Sequence, residues 1–180
     1  MSSKILSSKY LSDHPYFKAR VDSYQTPSGK IVDPYFVVEL PPSVVVMGIT
    51  KEEEVLVVKQ YRHPLGEELI ELPGGFIDEN ESPQLAAERE MLEETGYTFQ
   101  HYHYLGFSAA NPGVLSSYSH FFIATGGSAT SHQSLDQNEE IEVLLMPIGE
   151  VKVKLLHGEF RQSLHALCLF FGFEHLDRNQ

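Results

Sequence analysis

Between Ser43 and Arg62 the sequence carries two runs, SVVVMGIT and EVLVVKQYR, nearly continuous in apolar side chains. A strand with one wet face alternates apolar and polar residues, so unbroken runs predict strands covered on both faces. Such a sheet needs helices on either side to close its core. A chain of 180 residues suffices for one domain of this kind with a small appendage, and not for two catalytic domains. EELIELP, SSYSHFFIAT and IEVLLMP read as further strands. Upstream, VDSYQTP and IVDPYFVVEL flank SGK and predict a hairpin. Residues 1–42 are therefore expected to form an N-terminal antiparallel β arm, and residues 43–180 the main α/β domain.

Three helices are expected. The best marked runs from Ser82 to Thr95, with Ser82 as N-cap, Pro83 at the first helical position and Gly96 beyond the end. Ile148 to Leu156 alternates apolar residues with lysines, a strand-like feature, yet helix is the preferred reading. The last helix is expected from about Phe160 to Phe171, with Leu164, Leu167, Cys168 and Phe171 as its apolar stripe. Gly126 to Glu140 reads as a loop of about fifteen residues, longer than most connections and hence functional or mobile.

With 25 acidic against 13 basic residues the formal charge is −12, which argues against a nucleic-acid partner. A phosphate ligand would have to come with a cation. One cysteine, Cys168, excludes an internal disulfide and a cysteine-rich zinc module, and reads as a buried structural thiol. With no leader-like start and no long apolar run, a cytoplasmic protein without membrane association is expected. His101 and His103 alternate on one predicted strand without an evident third zinc ligand, and read as structural. Ser116 and Ser117 lack the nucleophile-elbow pattern.

The stretch GGFIDENESPQLAAEREMLEETGY concentrates charge oddly. At about 100° per residue, Glu93 and Glu94 fall to either side of Glu90, so three carboxylates share one arc. Ala86 and Ala87 project onto the same arc, which reads as cleared space in front of the acids. Like charges four apart, as in Glu90 and Glu94, destabilise a helix by roughly 0.2–0.5 kcal/mol, and Arg89 is the local offset. A solvated acidic face is the plain alternative. The glycine-rich turn LPGG just upstream, with its capacity for close backbone approach, favours a hard-oxygen site for Mg2+ or Mn2+.

Gly75, Glu81, and Arg89 through Tyr97, at their spacing in this sequence, resemble the Nudix box with every defining position filled. The resemblance implies an α/β/α sandwich around a mixed sheet and hydrolysis of a nucleoside diphosphate linked to another moiety. QYRHP, ELPGG, and Pro112 fifteen residues after Tyr97 resemble the ADP-ribose pyrophosphatase and nucleotide-sugar hydrolase subgroup. Gly74 departs from that subgroup, where alanine is frequent; if only its carbonyl serves, the swap should matter little.

By this resemblance Glu90, Glu94, Glu93 and the Gly74 carbonyl hold the metal. Arg89 orients a glutamate, and Glu81 is structural or an outer ligand. A loop acid resembling Glu139 or Glu140 is the general base, with Glu93 in reserve. Arg62 contacts phosphate or sugar, or is a strand-end surface charge. Glu71 contacts ribose, ligates metal, or faces solvent. Tyr35 and Phe36 stack on a base or merely pack. ADP-ribose would yield AMP and ribose 5-phosphate; NADH and GDP-mannose stay open. A sensor that binds ADP-ribose without cleaving it is disfavoured by the intact acids. The β arm is expected to support a homodimer.

Overall fold

A computed structural model describes residues 2–14 and 17–179. The chain divides into two compact units, Met1–Pro41 with Ala109–Tyr118, and Pro42–Ser108 with Ser119–Gln180. The first is an antiparallel sheet of β1 (Lys4–His14), β2 (Phe17–Gln25) and β3 (Ile31–Glu39), in that order. A turn at Thr26–Lys30 closes the expected hairpin between β2 and β3. The loop 109–118 bonds along β3, with Val38 N donating to the Val114 carbonyl and Ser116 N to the Val38 carbonyl.

The second unit is built on β4 (Ser43–Thr50), β5 (Glu54–Arg62), β6 (Glu67–Glu71), α1 (Pro83–Thr95), β7 (Tyr97–Thr98), β8 (His101–Ser108), β9 (Ser119–Ala129), β10 (Ile141–Pro147), α2 (Ile148–Leu156) and α3 (Ser163–Arg178). Its sheet runs β10-β5-β4-β9-β7, with β6 on β5 and β8 on β9; β4 and β9 are parallel and the other pairs antiparallel. From Val44 to Ile49 every residue of β4 is buried, as the unbroken apolar run requires. One face packs Val45, Met47, Val57, Phe121 and Ile123 against α2 and α3. The other packs Val44, Val46, Leu56 and Phe122 against α1. The result is the expected mixed sheet between helical layers.

The strands that carry the core also create an opening. β4 and β5 pair only at Gly48 with Leu56 and Ile49 with Val55, then part. Into the gap runs β6, paired with β5 as far as Val58–Glu71. Beyond it the chain crosses to β4, where Val46 N donates to the Pro73 carbonyl (3.0 Å) and Val44 N to the Gly75 carbonyl (2.9 Å).

Ser82 caps α1 by accepting from Leu85 N, and Gly96 ends it in the left-handed region, donating to the Leu92 carbonyl. Three expectations need correction. The irregular stretch is shorter than Gly126–Glu140, because β9 continues pairing through Ala129. The last helix starts at Ser163 and runs to Arg178, and its buried face is His165, Cys168, Leu169, Gly172 and Phe173. Phe171, expected on the apolar stripe, lies at its edge, 39% exposed with its ring 5.9 Å from that of Phe121. Ala86 and Ala87 do not clear space before the acids: both have no exposed surface and lie in the core under α1. Their small size lets the helix sit close on the sheet.

Ala87→Leu should therefore overpack this layer, costing about 1–3 kcal/mol and lowering Tm by several degrees in a thermal melt. An unchanged Tm would put Ala87 at an open mouth after all.

Candidate active site

The buried side of α1 that contacts the sheet ends in a carboxylate. Glu94 is 6% exposed, and its Oε2 accepts from the Gly74 backbone N–H at 2.9 Å. One turn earlier, Glu90 lies against the next glycine: a Cβ on Gly75 would sit 2.4 Å from Glu90 Oε1. Two carboxylates on one helix thus flank a glycine pair whose backbone is pinned on its other edge to β4. A Cβ at Gly74, where φ is 154°, would meet the Val44 carbonyl oxygen at 2.2 Å. The expectation that alanine is harmless here therefore fails, since the clash is with fixed backbone.

Arg89 holds the outer acids. Its Nε and Nη2 donate to the two oxygens of Glu81 at 3.0 and 2.9 Å, and Nη1 donates to Glu90 at 2.8 Å and to Glu93 at 3.0 Å. Nη2 also reaches the Phe76 carbonyl. Glu81 accepts from Asp78 N as well. The hydrogen bonds to Glu81 chiefly, then those to Glu90 and Glu93, raise the Arg89 pKa, while Arg89 holds Glu81 below its ordinary value.

Within the acidic cluster, burial acts most strongly on Glu94 and Glu90. Burial pushes Glu94 up to about 8; the Gly74 N–H opposes this, and the charges of Glu90 and Glu139 add to it. Burial also raises Glu90, with Arg89 opposing. The charged forms of both lie in an environment that disfavours them. Among the described residues no three acidic, histidine or cysteine side chains converge closely enough by themselves to hold a metal ion. The donors present, Glu90, Glu93, Glu94 and nearby backbone carbonyls, are all hard oxygens clustered tightly enough to feel one another. That set fits a hard dication that retains water.

A second acid reaches this cluster from the loop before β10. Thr130 N and Ser131 N donate to the Gly96 carbonyl, and Ser134 N to the Glu93 carbonyl at 2.8 Å. The Gln133 side-chain amide donates to the carbonyls of Glu94 (2.6 Å) and Ile141 (3.1 Å). The loop is thereby stapled over the C-terminal end of α1. Glu139 is half-buried, and its charge acts on Glu90, Glu94 and Arg62, whereas Glu140 is exposed. Glu139 Oε2 accepts from Asp136 N at 3.1 Å, which fixes its loop turn.

Arg62 and Glu71, opposite ends of the β5–β6 ladder, form a close pair: Nε lies 3.1 and 3.2 Å from the carboxylate oxygens, and Nη2 donates as well. Glu71 is 1% exposed, so it does not face solvent. The Glu71 hydrogen bonds raise the Arg62 pKa. Tyr35 and Pro112 belong to the first unit, where Tyr35 Oη donates to the Gly113 carbonyl at 2.7 Å and its ring meets Tyr24 edge-on. Phe36 is exposed. His103 stacks on His175 at 4.2 Å. Cys168 is fully buried, its thiol pushed up to about 12 by burial. Sequence reasoning overlooked Gln133 and His165. The second had a signal, a lone polar residue on an apolar helix face.

The two glycines should fail differently. Gly74→Ala forces backbone apart and should cost about 1–3 kcal/mol of stability. Gly75→Ala meets only the end of a flexible side chain, so Tm should change less while metal affinity falls as Glu90 is displaced. Calorimetric melts and Mn2+ titrations of both variants check this, and equal affinity in Gly75→Ala and wild type would refute the Glu90 contact.

Comparison with known proteins identifies the family and the fold. A NUDIX domain profile covers residues 39–167, and a nucleoside diphosphate sugar hydrolase N-terminal domain profile covers residues 4–38. A Bacillus methanolicus protein named methanol dehydrogenase activator is 32% identical over 74% of this chain and 72% of its own. The ADP-ribose pyrophosphatase of Bacillus subtilis is 31% identical over 78% of this chain and 79% of its own. The crystal structure of an ADP compounds hydrolase superposes with a TM-score of 0.86 at 20% identity, over 99% of this chain and 96% of that one. With its box acids clustered on one helix and the NUDIX profile spanning most of its length, the chain belongs to the Nudix family of hydrolases.

Proposed function

We propose that the protein hydrolyses ADP-ribose, or a similar nucleoside diphosphate sugar, to AMP and ribose 5-phosphate with Mg2+ or Mn2+. The observation that carries this reading is the pair Glu90 and Glu94 flanking Gly75 and Gly74 in a hard-oxygen cluster. The substrate class is supported by relatives named ADP-ribose pyrophosphatase in Bacillus subtilis and ADP-sugar pyrophosphatase in Mus musculus. A divalent cation held by Glu90, Glu93, Glu94 and the Gly74 carbonyl would neutralise phosphate oxygens and acidify a water. Glu139 takes the proton from the attacking water, being the loop acid that reaches the cluster; Glu140 is the second candidate and Glu93 the third. Water adds across the P–O–P bridge, one phosphorus gaining the oxygen and the other phosphate leaving.

Arg89 orients Glu90 and Glu93 and does not touch substrate. Glu71 acts through Arg62, holding its Nε and Nη2 so that Nη1 is left to a phosphate oxygen. Tyr35 is proposed as a contact to the base and Pro112 as a further substrate contact, on the resemblance alone. A GDP-mannose pyrophosphatase of Escherichia coli is also a relative, 30% identical over 67% of this chain, so GDP-mannose stands as the second substrate, with NADH behind it. An ADP-ribose sensor without turnover is the reading from a different class.

No helix among the described residues is long and apolar enough to cross a membrane; a cytoplasmic site of action is proposed on the single-cysteine composition. A homodimer through the N-terminal sheet is supported by Ile5, Leu6, Tyr10, Leu11, Phe17, Ile31 and Phe36, all at least 47% exposed, an apolar load that suits burial against a second copy.

Wild type incubated with ADP-ribose and Mg2+ should release AMP and ribose 5-phosphate, and Glu90→Gln should not. Glu139→Gln should lose orders of magnitude in kcat while Glu140→Gln stays near wild type. Products from a GDP-mannose or NADH panel but not ADP-ribose would move the substrate; none from any would favour the sensor. Sedimentation velocity at micromolar concentration should show a dimer, and a monomer would remove the arm's role.

A further inference from the structure

The segment Leu72–Gly75 has two edges. On one, the Pro73 and Gly75 carbonyls accept from β4. On the other, two N–H groups point away from β4. Gly74 N donates to Glu94. Leu72 N donates to Nδ1 of His165 on α3, at 2.9 Å and 93 residues away in sequence. Leu72 sits where the chain has left β5 and not yet reached its first bond to β4, so its N–H has no strand partner. It is 1% exposed, out of reach of water, and a buried N–H needs an acceptor. His165 is itself 5% exposed. Burial holds its pKa down to about 4, so at neutral pH the ring is uncharged and Nδ1 accepts.

We propose that His165 is a positioning residue: by accepting from Leu72 N–H it fixes the crossing segment, so that two residues on the Gly74 backbone meets Glu94 and Gly75 packs on Glu90. α1 and α3 thus grip the same edge of one extended segment, from opposite sides of the sheet. The inference rests on the reading of Glu90, Glu94 and the Gly74 carbonyl as metal ligands. His165 touches neither substrate nor cation. Its contribution is the location of an acceptor, at the δ position of a side chain in a closed core.

Side chains that keep or move that acceptor provide the test. His165→Asn retains an oxygen where Nδ1 stands, His165→Gln carries it one atom further, and His165→Leu has none. Amide exchange by NMR on the metal-free protein reads Leu72 and Gly74 directly, and Mn2+ titration reads the site. Asn should keep both amides protected and Mn2+ affinity near wild type. Gln and Leu should deprotect both amides and weaken Mn2+ by about 10–100-fold, the range for outer-shell supports. Should Leu fail to fold, the Asn and Gln pair decides. Loss confined to the Leu72 amide, with Gly74 protection and Mn2+ affinity intact, would overturn the proposal, as would Asn and Gln being equally impaired. Mn2+ binding that survives Glu90→Gln would count against the ligand reading instead, and Gly74 exchange would still decide the role of His165.

Discussion

The site depends on a backbone problem and its solution: a strand that changes partners in mid-course. β4 and β5 part after two paired positions, and the chain from Glu67 to Gly75 fills the gap, bonded first to β5 and then to β4. Every buried N–H and carbonyl along it must find a partner. Strands supply most of these. At Leu72 and Gly74 side chains supply them, one from each helical layer. The partner change fixes the glycine pair against α1 to within the width of a hydrogen bond. Gly74 is required because its Cα rests on the Val44 carbonyl, and Gly75 because Glu90 occupies the space of a side chain.

Charge at the site divides into two layers with opposite logic. The outer acids Glu81 and Glu93, together with Glu90, share Arg89, a guanidinium whose fixed fork serves several oxygens at once. Among the described residues the carboxylate of the inner acid, Glu94, is hydrogen-bonded only by the Gly74 N–H, and burial outweighs that bond in setting its pKa. A carboxylate so placed relaxes by taking a proton or a cation. The like-charge repulsion on α1 is therefore split: Arg89 offsets the outer part, and the inner part, at Glu94, is left to burial and the Gly74 N–H.

Much of this was legible in the residues, and the limits have physical causes. Unbroken apolar runs identified β4 and β5 because coverage on both faces leaves no alternation. Ser82, Pro83 and Gly96 marked α1 because end groups without intrahelical partners select particular side chains. The sequence places three acids on one arc of α1, but it sets Ala86 and Ala87 in front of them, whereas both lie beneath in the core. Helical projection gives angles around an axis and does not say which arc meets the sheet. The boundary of α3 was missed because packing along Leu169, Gly172 and Phe173 carries the helix past Phe171. The bond from Leu72 to His165 had no local signature, since it joins residues 93 apart in the chain.

The loop before β10 shows why one candidate base is distinguished from its neighbour. Adjacent acids in an unanchored loop would sample the cluster equally. Here the loop is tied to α1 through the carbonyls of Glu93, Glu94 and Gly96, at the end of the helix that bears the acidic cluster. Those carbonyls lack intrahelical partners, so the helix gains by accepting the loop and the loop gains a fixed origin. With Ile141 opening β10 at the other end, also held by Gln133, the span between leaves Glu139 turned inward and Glu140 outward. Backbone and amide bonds thus keep Glu139 close to the cluster, and its own carboxylate is engaged only by the Asp136 N–H among the hydrogen bonds of the described residues.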